Sequence, residues 1–172
     1  MSDAVIVVGI DGSEGSRRAL RWALEEGVRR NCAVEAVTAW PSRDTRGHEH
    51  GELPDEKGAE ARRSADEKLR HIVDTEVRAV DSPPPVSFEV VQGQAVDVLL
   101  RMSSSAALLV VGSHGTSSIL HEALGSVSEA CGRLAQCPVV VLPPPARPQQ
   151  GSIHNEVARP ARSASQRDTA ED

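Results

Sequence analysis

Aliphatic runs of strand length, alternating with stripes of helical period, constrain this chain more than any other feature. Ala4-Val5-Ile6-Val7-Val8-Gly9-Ile10 is apolar on both faces, so strand one lies centrally, covered on each side. Helix one follows, with Leu20, Ala23, Leu24, Gly27 and Val28 on the i, i+3, i+4, i+7, i+8 stripe. Arg29 and Arg30 suit its last turn and Asn31 can end it. Strand two is Ala33 to Trp40, closed by Pro41. The polar stretch Ser42 to Asp55 reads as a loop. A long helix runs from about Asp55 to about Ala79, its stripe Leu69, Ile72, Val73, Val77 and Val80. Asp81-Ser82-Pro83-Pro84-Pro85 stops it.

Strand three alternates, with Val86, Phe88 and Val90 against Ser87 and Glu89, the pattern of an edge strand with one wet face. A short helix spans Ala95 to Met102, and strand four spans Ala106 to Val111. The next helix is expected to pack Leu120, Ala123, Leu124, Val127, Cys131 and Leu134, and strand five is Pro138 to Leu142. Strand and helix alternate throughout, which gives one α/β domain over residues 1–145 with a parallel sheet and right-handed crossovers. Residues 146–172 change character: Ile153 and Val157 are the branched aliphatics there, too few to offset ordering entropy, so a disordered tail is expected.

Composition narrows the function. Aromatics are 2% of the 172 residues, with no Tyr, so the core must be Val, Leu, Ile and Ala. Net charge is −6 with the 19 Lys and Arg unclustered, which argues against nucleic acid as a partner. No apolar stretch nears the roughly 18 residues of a membrane span. Met1 to Val5 has neither a basic leader nor a cleavage site, so the cytoplasm is the expected compartment. Cys32, Cys131 and Cys137 are scattered and read as buried or half-buried hydrophobes.

The chemistry gathers after strand four. Gly112-Ser113-His114-Gly115-Thr116-Ser117-Ser118 links the strand to a helix start at Gly125-Ser126-Val127. Glycines admit close approach of backbone amides, and a helix N-terminus supplies unpaired N–H groups, so the arrangement suits an anion. Several phosphate-binding schemes drop out. A Walker A loop needs a Lys that Lys57 and Lys68 cannot supply. Gly9-Ile10-Asp11-Gly12-Ser13-Glu14-Gly15 has the wrong glycine spacing for a dinucleotide fingerprint, and a carboxylate where pyrophosphate would sit. His48-Glu49-His50, near Asp44, has ligand chemistry without helical spacing, and His121-Glu122 reads as a solvated pair.

Gly112-x2-Gly115-x9-Gly125-Ser126 resembles the nucleotide-binding signature of the universal stress protein family. Val8-Gly9-Ile10-Asp11-Gly12-Ser13, Ala36-Val37-Thr38-Ala39-Trp40, Gly93-Gln94-Ala95 and Cys137-Pro138-Val139-Val140-Val141 fall in the family's order. The resemblance covers about Ala4 to Leu142. It implies an open five-stranded parallel sheet ordered 3-2-1-4-5, with helices on both faces, of the adenine nucleotide alpha hydrolase-like kind. It also implies binding of ATP or another adenine nucleotide, with Mg²⁺, between strands one and four. By the same resemblance Asp11 would contact the nucleoside, directly or through a metal-bound water. Gly9, Ile10 and Ala39 would hold the adenine. Gly112, Ser113, His114, Gly115, Thr116, Ser117 and Ser118, with Gly125, Ser126 and Val127, would take ribose and phosphates.

Each residue also has a plainer use. Gly112 and Gly115 serve a turn, Asp11 an Asx-turn or N-cap, Ser126 its own helix start, and His114 a polar loop. Thr116-Ser117-Ser118 stand where ATP-binding relatives often carry a basic residue and further glycines, so weaker binding is expected. No positioned base or arginine finger is apparent at the loop, so any ATP hydrolysis is expected to be slow. Two functions follow: an adenine-nucleotide-binding regulatory module, or a dimeric stress-related interaction protein that has lost useful ATP affinity. Strand five (Val139, Val140, Val141, Leu142) is a short apolar edge suited to a homodimer. The identity of any protein partner is not written in the sequence.

Overall fold

The computed structural model describes residues 4–40, 56–115 and 124–145. Nine elements alternate: β1 (Val5–Gly9), α1 (Glu14–Arg30), β2 (Ala33–Trp40), α2 (Glu56–Val77), β3 (Val86–Gln92), α3 (Ala95–Met102), β4 (Leu108–Gly112), α4 (Ser126–Leu134) and β5 (Val139–Leu142). All strand pairs are parallel, as the alternation of strand and helix predicts, and the order is β3-β2-β1-β4-β5, as the family resemblance implies. β3 and β5 are the edges. The loop expected at Ser42 to Asp55, the His48-Glu49-His50 group, His121-Glu122 and the tail 146–172 lie outside the described residues.

Successive side chains of a strand point to opposite faces, and β1 divides its own accordingly. Ile6 and Val8 join Leu20, Leu24, Leu69, Ile72 and Val73 in a core layer under α1 and α2. Val7 joins Val37, Leu109, Val111, Val98, Leu99 and Cys131 in a second layer under α3 and α4. Cys32 and Cys131 are buried and Cys137 is half-buried.

α1 is closed at both ends by its own sequence. The Ser16 N–H donates to Ser13 Oγ at the N-cap (3.1 Å), and Asn31 ends the helix at φ 53, donating its N–H to the carbonyls of Gly27 and Val28. Three residues depart from the expected packing. Val28 is 46% exposed because it lies eight residues from Leu20, about 80° around the helix, at the margin of the stripe. Leu124 is 51% exposed because α4 begins only at Ser126. Leu134 is 61% exposed at the helix end beside β5, the edge strand of the sheet among the described residues. Leu120 and Ala123 lie outside the described residues.

The seam between α1 and α2 holds a carboxylate that periodicity does not anticipate. Glu76 is 4% exposed and accepts from Arg21 Nε and, at 3.3 Å, from Arg21 Nη2. Arg17 Nη1 lies 3.8 Å from it. The hydrogen bond to Glu76 raises the Arg21 pKa.

Candidate functional site

β1 and β4 are neighbours at the centre of the sheet, yet α1 packs on one face and α4 on the other. The chain therefore parts at their C-terminal ends, the place where open α/β sheets form ligand crevices. A cavity of about 410 Å³ lies there.

Two glycines make its geometry. Gly112 ends β4 against the first turn of α1, where a Cβ would lie 2.8 Å from the Gly15 carbonyl carbon. A Cβ on Gly115 would lie 2.5 Å from Asp11 Oδ2, so only a hydrogen separates the loop from that carboxylate. The Asp11 turn and the Gly112 loop thus face one another across the crevice. Asp11 also makes the local contact open to it: its Oδ1 accepts the Ser13 N–H at 2.9 Å, an Asx-turn ahead of the helix that Ser13 caps. Behind it, the Ile10 N–H donates to Val37 O (2.8 Å) and Thr38 Oγ1 donates to Ile10 O (2.9 Å), locking the turn to β2.

The opposite wall is tied just as closely. Ser128 Oγ donates to Gly112 O at 2.6 Å, the Gly125 N–H to Ser113 O at 2.8 Å, and the Ser113 N–H to Leu142 O at 2.8 Å. Gly125 is the N-cap of α4 and brings no side chain to cap it. The N–H of Glu129 bonds to Gly125 O at 2.9 Å, so the amides of Ser126, Val127 and Ser128 precede the helical ladder and stand at the cavity. Opposite them the lining is apolar, with Val37 and Ala39 from β2, Ala95 and Leu99 from α3, and Val111 from β4. Asp11 and His114 are the ionisable groups among the described residues that line it.

Of the residues predicted from sequence, Gly9, Ile10, Asp11, Ala39, Gly112, His114, Gly115, Gly125, Ser126 and Val127 line this cavity. Ser113 does not. It is buried beneath the loop, and its Oγ shares a 3.0 Å hydrogen bond with His114 Nδ1. Thr116, Ser117 and Ser118 lie outside the described residues. Ser13, Ser16, Val37, Ala95, Leu99, Val111 and Ser128 line the cavity without having been singled out. Val37 was legible from the two-residue period that pairs it with Ala39, and Val111 from its place before Gly112. Ala95 and Leu99 share a helix face, but nothing local aims that face at the site.

A pocket with an apolar wall and a set of free amides accepts a flat apolar ring carrying an anionic tail. Among the described residues, no three His, Cys, Asp or Glu gather to hold a metal ion, and no helix is long and apolar enough to cross a membrane.

Known proteins share the fold and the sequence pattern. Universal stress protein Rv2028c of Mycobacterium tuberculosis is 34% identical over 139 residues, covering 81% of this chain and 48% of that protein. The chain thus spans about half the length of the curated relatives it matches. A solved universal stress protein in complex with cAMP superposes with a TM-score of 0.52 at 24% identity, covering 83% of this chain and 98% of that one. The Archaeoglobus fulgidus universal stress protein in complex with dAMP gives a TM-score of 0.55 at 18% identity, covering 81% and 97%. The model of the universal stress protein family matches residues 4–143, and with it the two halves of the crevice acquire a common origin: the chain belongs to the universal stress protein family.

Proposed function

We propose that this chain is a regulatory module that binds an adenine nucleotide, ATP with Mg²⁺, in the crevice between β1 and β4, and hydrolyses it slowly if at all. The observation that carries the reading is the union, in one cavity, of an apolar wall with the uncapped amides of α4. Val37, Ala39 and Leu99 would hold the adenine ring, and Gly112, Gly115 and the amides of Ser126 and Val127 would take the phosphates. The cAMP and dAMP complexes of the two solved relatives support an adenine nucleotide as the ligand class.

The donor set fits Mg²⁺ arriving with the nucleotide. Asp11 offers a carboxylate, Ser13 and Ser126 offer hydroxyls, and Mg²⁺ is ordinarily held by one or two carboxylates plus phosphate oxygens. When bound, it neutralises phosphate charge beside Asp11. His114 shares a hydrogen bond with Ser113 Oγ through Nδ1, and no Lys or Arg among the described residues lines the cavity to stabilise the charge that builds up during phosphoryl transfer.

Thermal unfolding with millimolar MgATP, ADP, AMP and cAMP tests the reading. A ligand at 100 times its Kd adds about 2.7 kcal/mol of stability, an easily read shift. Gly115→Ala, which would put a methyl group against Asp11, should abolish that shift. If no nucleotide moves the midpoint of the wild type, the reading is wrong.

The second reading is a dimeric interaction protein without useful ATP affinity. No Lys or Arg among the described residues lines the cavity, which favours it. β5 supports a homodimer under either reading, since Val139 to Leu142 are half-buried on an open sheet edge.

A further inference from the structure

At the loop, sequence reading finds His114 alone as a source of positive charge. The fold brings a second group beside it. Arg17, Arg18 and Arg21 leave the first two turns of α1. Glu76 holds Arg17 and Arg21, and Glu14 adds a 3.5 Å contact to Arg21. Arg18 is half-buried, and its Nε is sealed from solvent without a hydrogen-bond partner among the described residues. A buried charged donor left unmatched is costly and needs an explanation.

Its location suggests one. Arg18 Nη2 lies 3.7 Å from the point where a Cβ on Gly15 would sit, and that point is 2.9 Å from His114 O. The guanidinium therefore flanks the His114–Gly115 end of the loop, while Asp11 abuts Gly115 itself. That end of the loop, next to the cavity-lining His114 and Gly115, thus lies near one carboxylate and one guanidinium.

We propose that Arg18 reads the outer phosphates of the bound nucleotide and so sets the preference for di- and triphosphates over a monophosphate. The inference rests on the nucleotide reading above. The amides of α4 suffice for one phosphate group within the cavity. Further phosphates carry charge out over the rim at Gly115, where the planar fork of a guanidinium matches their oxygens by paired hydrogen bonds. Arg18 thereby supplies the charge that Thr116-Ser117-Ser118 lack.

Calorimetric titration of adenosine, AMP, ADP and ATP with Mg²⁺ tests this on the wild type, Arg18→Gln, Arg18→Lys and the charge control Arg133→Gln. Arg133 is exposed in the last turn of α4. Arg18→Gln should weaken ATP and ADP about tenfold, the scale of a lost charge-assisted contact. Adenosine and AMP should stay within about twofold, and the salt dependence of ATP binding should fall. Arg133→Gln should bind all four as the wild type does. Arg18→Lys keeps the charge without the fork and should lose part of the ATP preference. It decides the matter if Arg18→Gln does not fold, since full ATP affinity in the Lys variant would refute the fork. Wild type that binds ATP while Arg18→Gln binds it equally well overturns the assignment alone. Equal losses for adenosine and ATP would make Arg18 a packing residue and also overturn it. A wild type that binds none of the four ligands overturns the nucleotide reading and this assignment with it.

Discussion

At Gly112 and Gly115 the missing side chain serves two different ends. The nearest neighbours of a Cβ on Gly112 are backbone atoms of Gly15 and Ser16, which cannot move without shifting α1. On Gly115 the neighbour is Oδ2 at the end of the exposed Asp11 side chain, which can give way more readily than backbone. Gly112→Ala should therefore cost about 1–3 kcal/mol of stability, as overpacking usually does. Gly115→Ala should leave the free protein within about 0.5 kcal/mol. Urea unfolding of both variants measures the contrast, and equal losses would refute it. Both glycines were legible because their spacing is local to one loop. Ser128 was less so, since its 2.6 Å bond to Gly112 O spans 16 residues and leaves no periodic mark.

Among the elements, α1 and α2 are joined by a charged clasp set in an apolar seam. Breaking a buried ion pair by removing one partner is costly, but Arg21 is half exposed and can recover water. Glu76→Gln should therefore destabilise by about 1–2 kcal/mol, and high salt should narrow the difference. Chemical denaturation at two ionic strengths checks both statements. Glutamate on α2 reads from sequence as one more surface charge; its burial depends on where Arg17 and Arg21 arrive from the neighbouring helix.

β2 and β3 contain a pH-sensitive pair. Glu35 pairs with Ser87 in the register and Val37 with Glu89, so the two carboxylates are diagonal neighbours on one sheet face. Burial, and then the Glu89 charge, pushes the Glu35 carboxyl above its usual range. The folded chain thus holds that proton to higher pH than the unfolded chain does. The stability contributed by this group is complete below the unfolded pKa and is lost as pH rises through the folded one. Glu35→Gln should gain thermal stability over the wild type as pH rises from the ordinary carboxylate range, the advantage growing until Glu35 is ionised in the folded chain as well. A melting series across that window reads the trend, and a constant difference would contradict it.

For the whole molecule, β5 is the short apolar edge of the sheet among the described residues. The homodimer proposed above would pair this apolar edge with that of a second copy. Light scattering of the wild type should give twice the mass of one chain, and Val141→Lys should reduce it to one. A monomeric wild type would exclude the dimer. The described core also explains why so few aromatics suffice: two layers of Val, Leu and Ile, one on each sheet face, fill the space between four helices.

Periodicity along the chain determined the elements, their succession in sequence and the edge character of β3, because both repeats depend only on neighbours a few residues apart. Spacing marked most of the crevice for the same reason: Gly112, Gly115 and Gly125 act within one connection. The apolar wall from Ala95 and Leu99, the clasp at Glu76 and the placement of Arg18 beside His114 were decided by tertiary structure alone. Each joins residues far apart in sequence, and only the paths of α1 and α3 over the sheet bring them together.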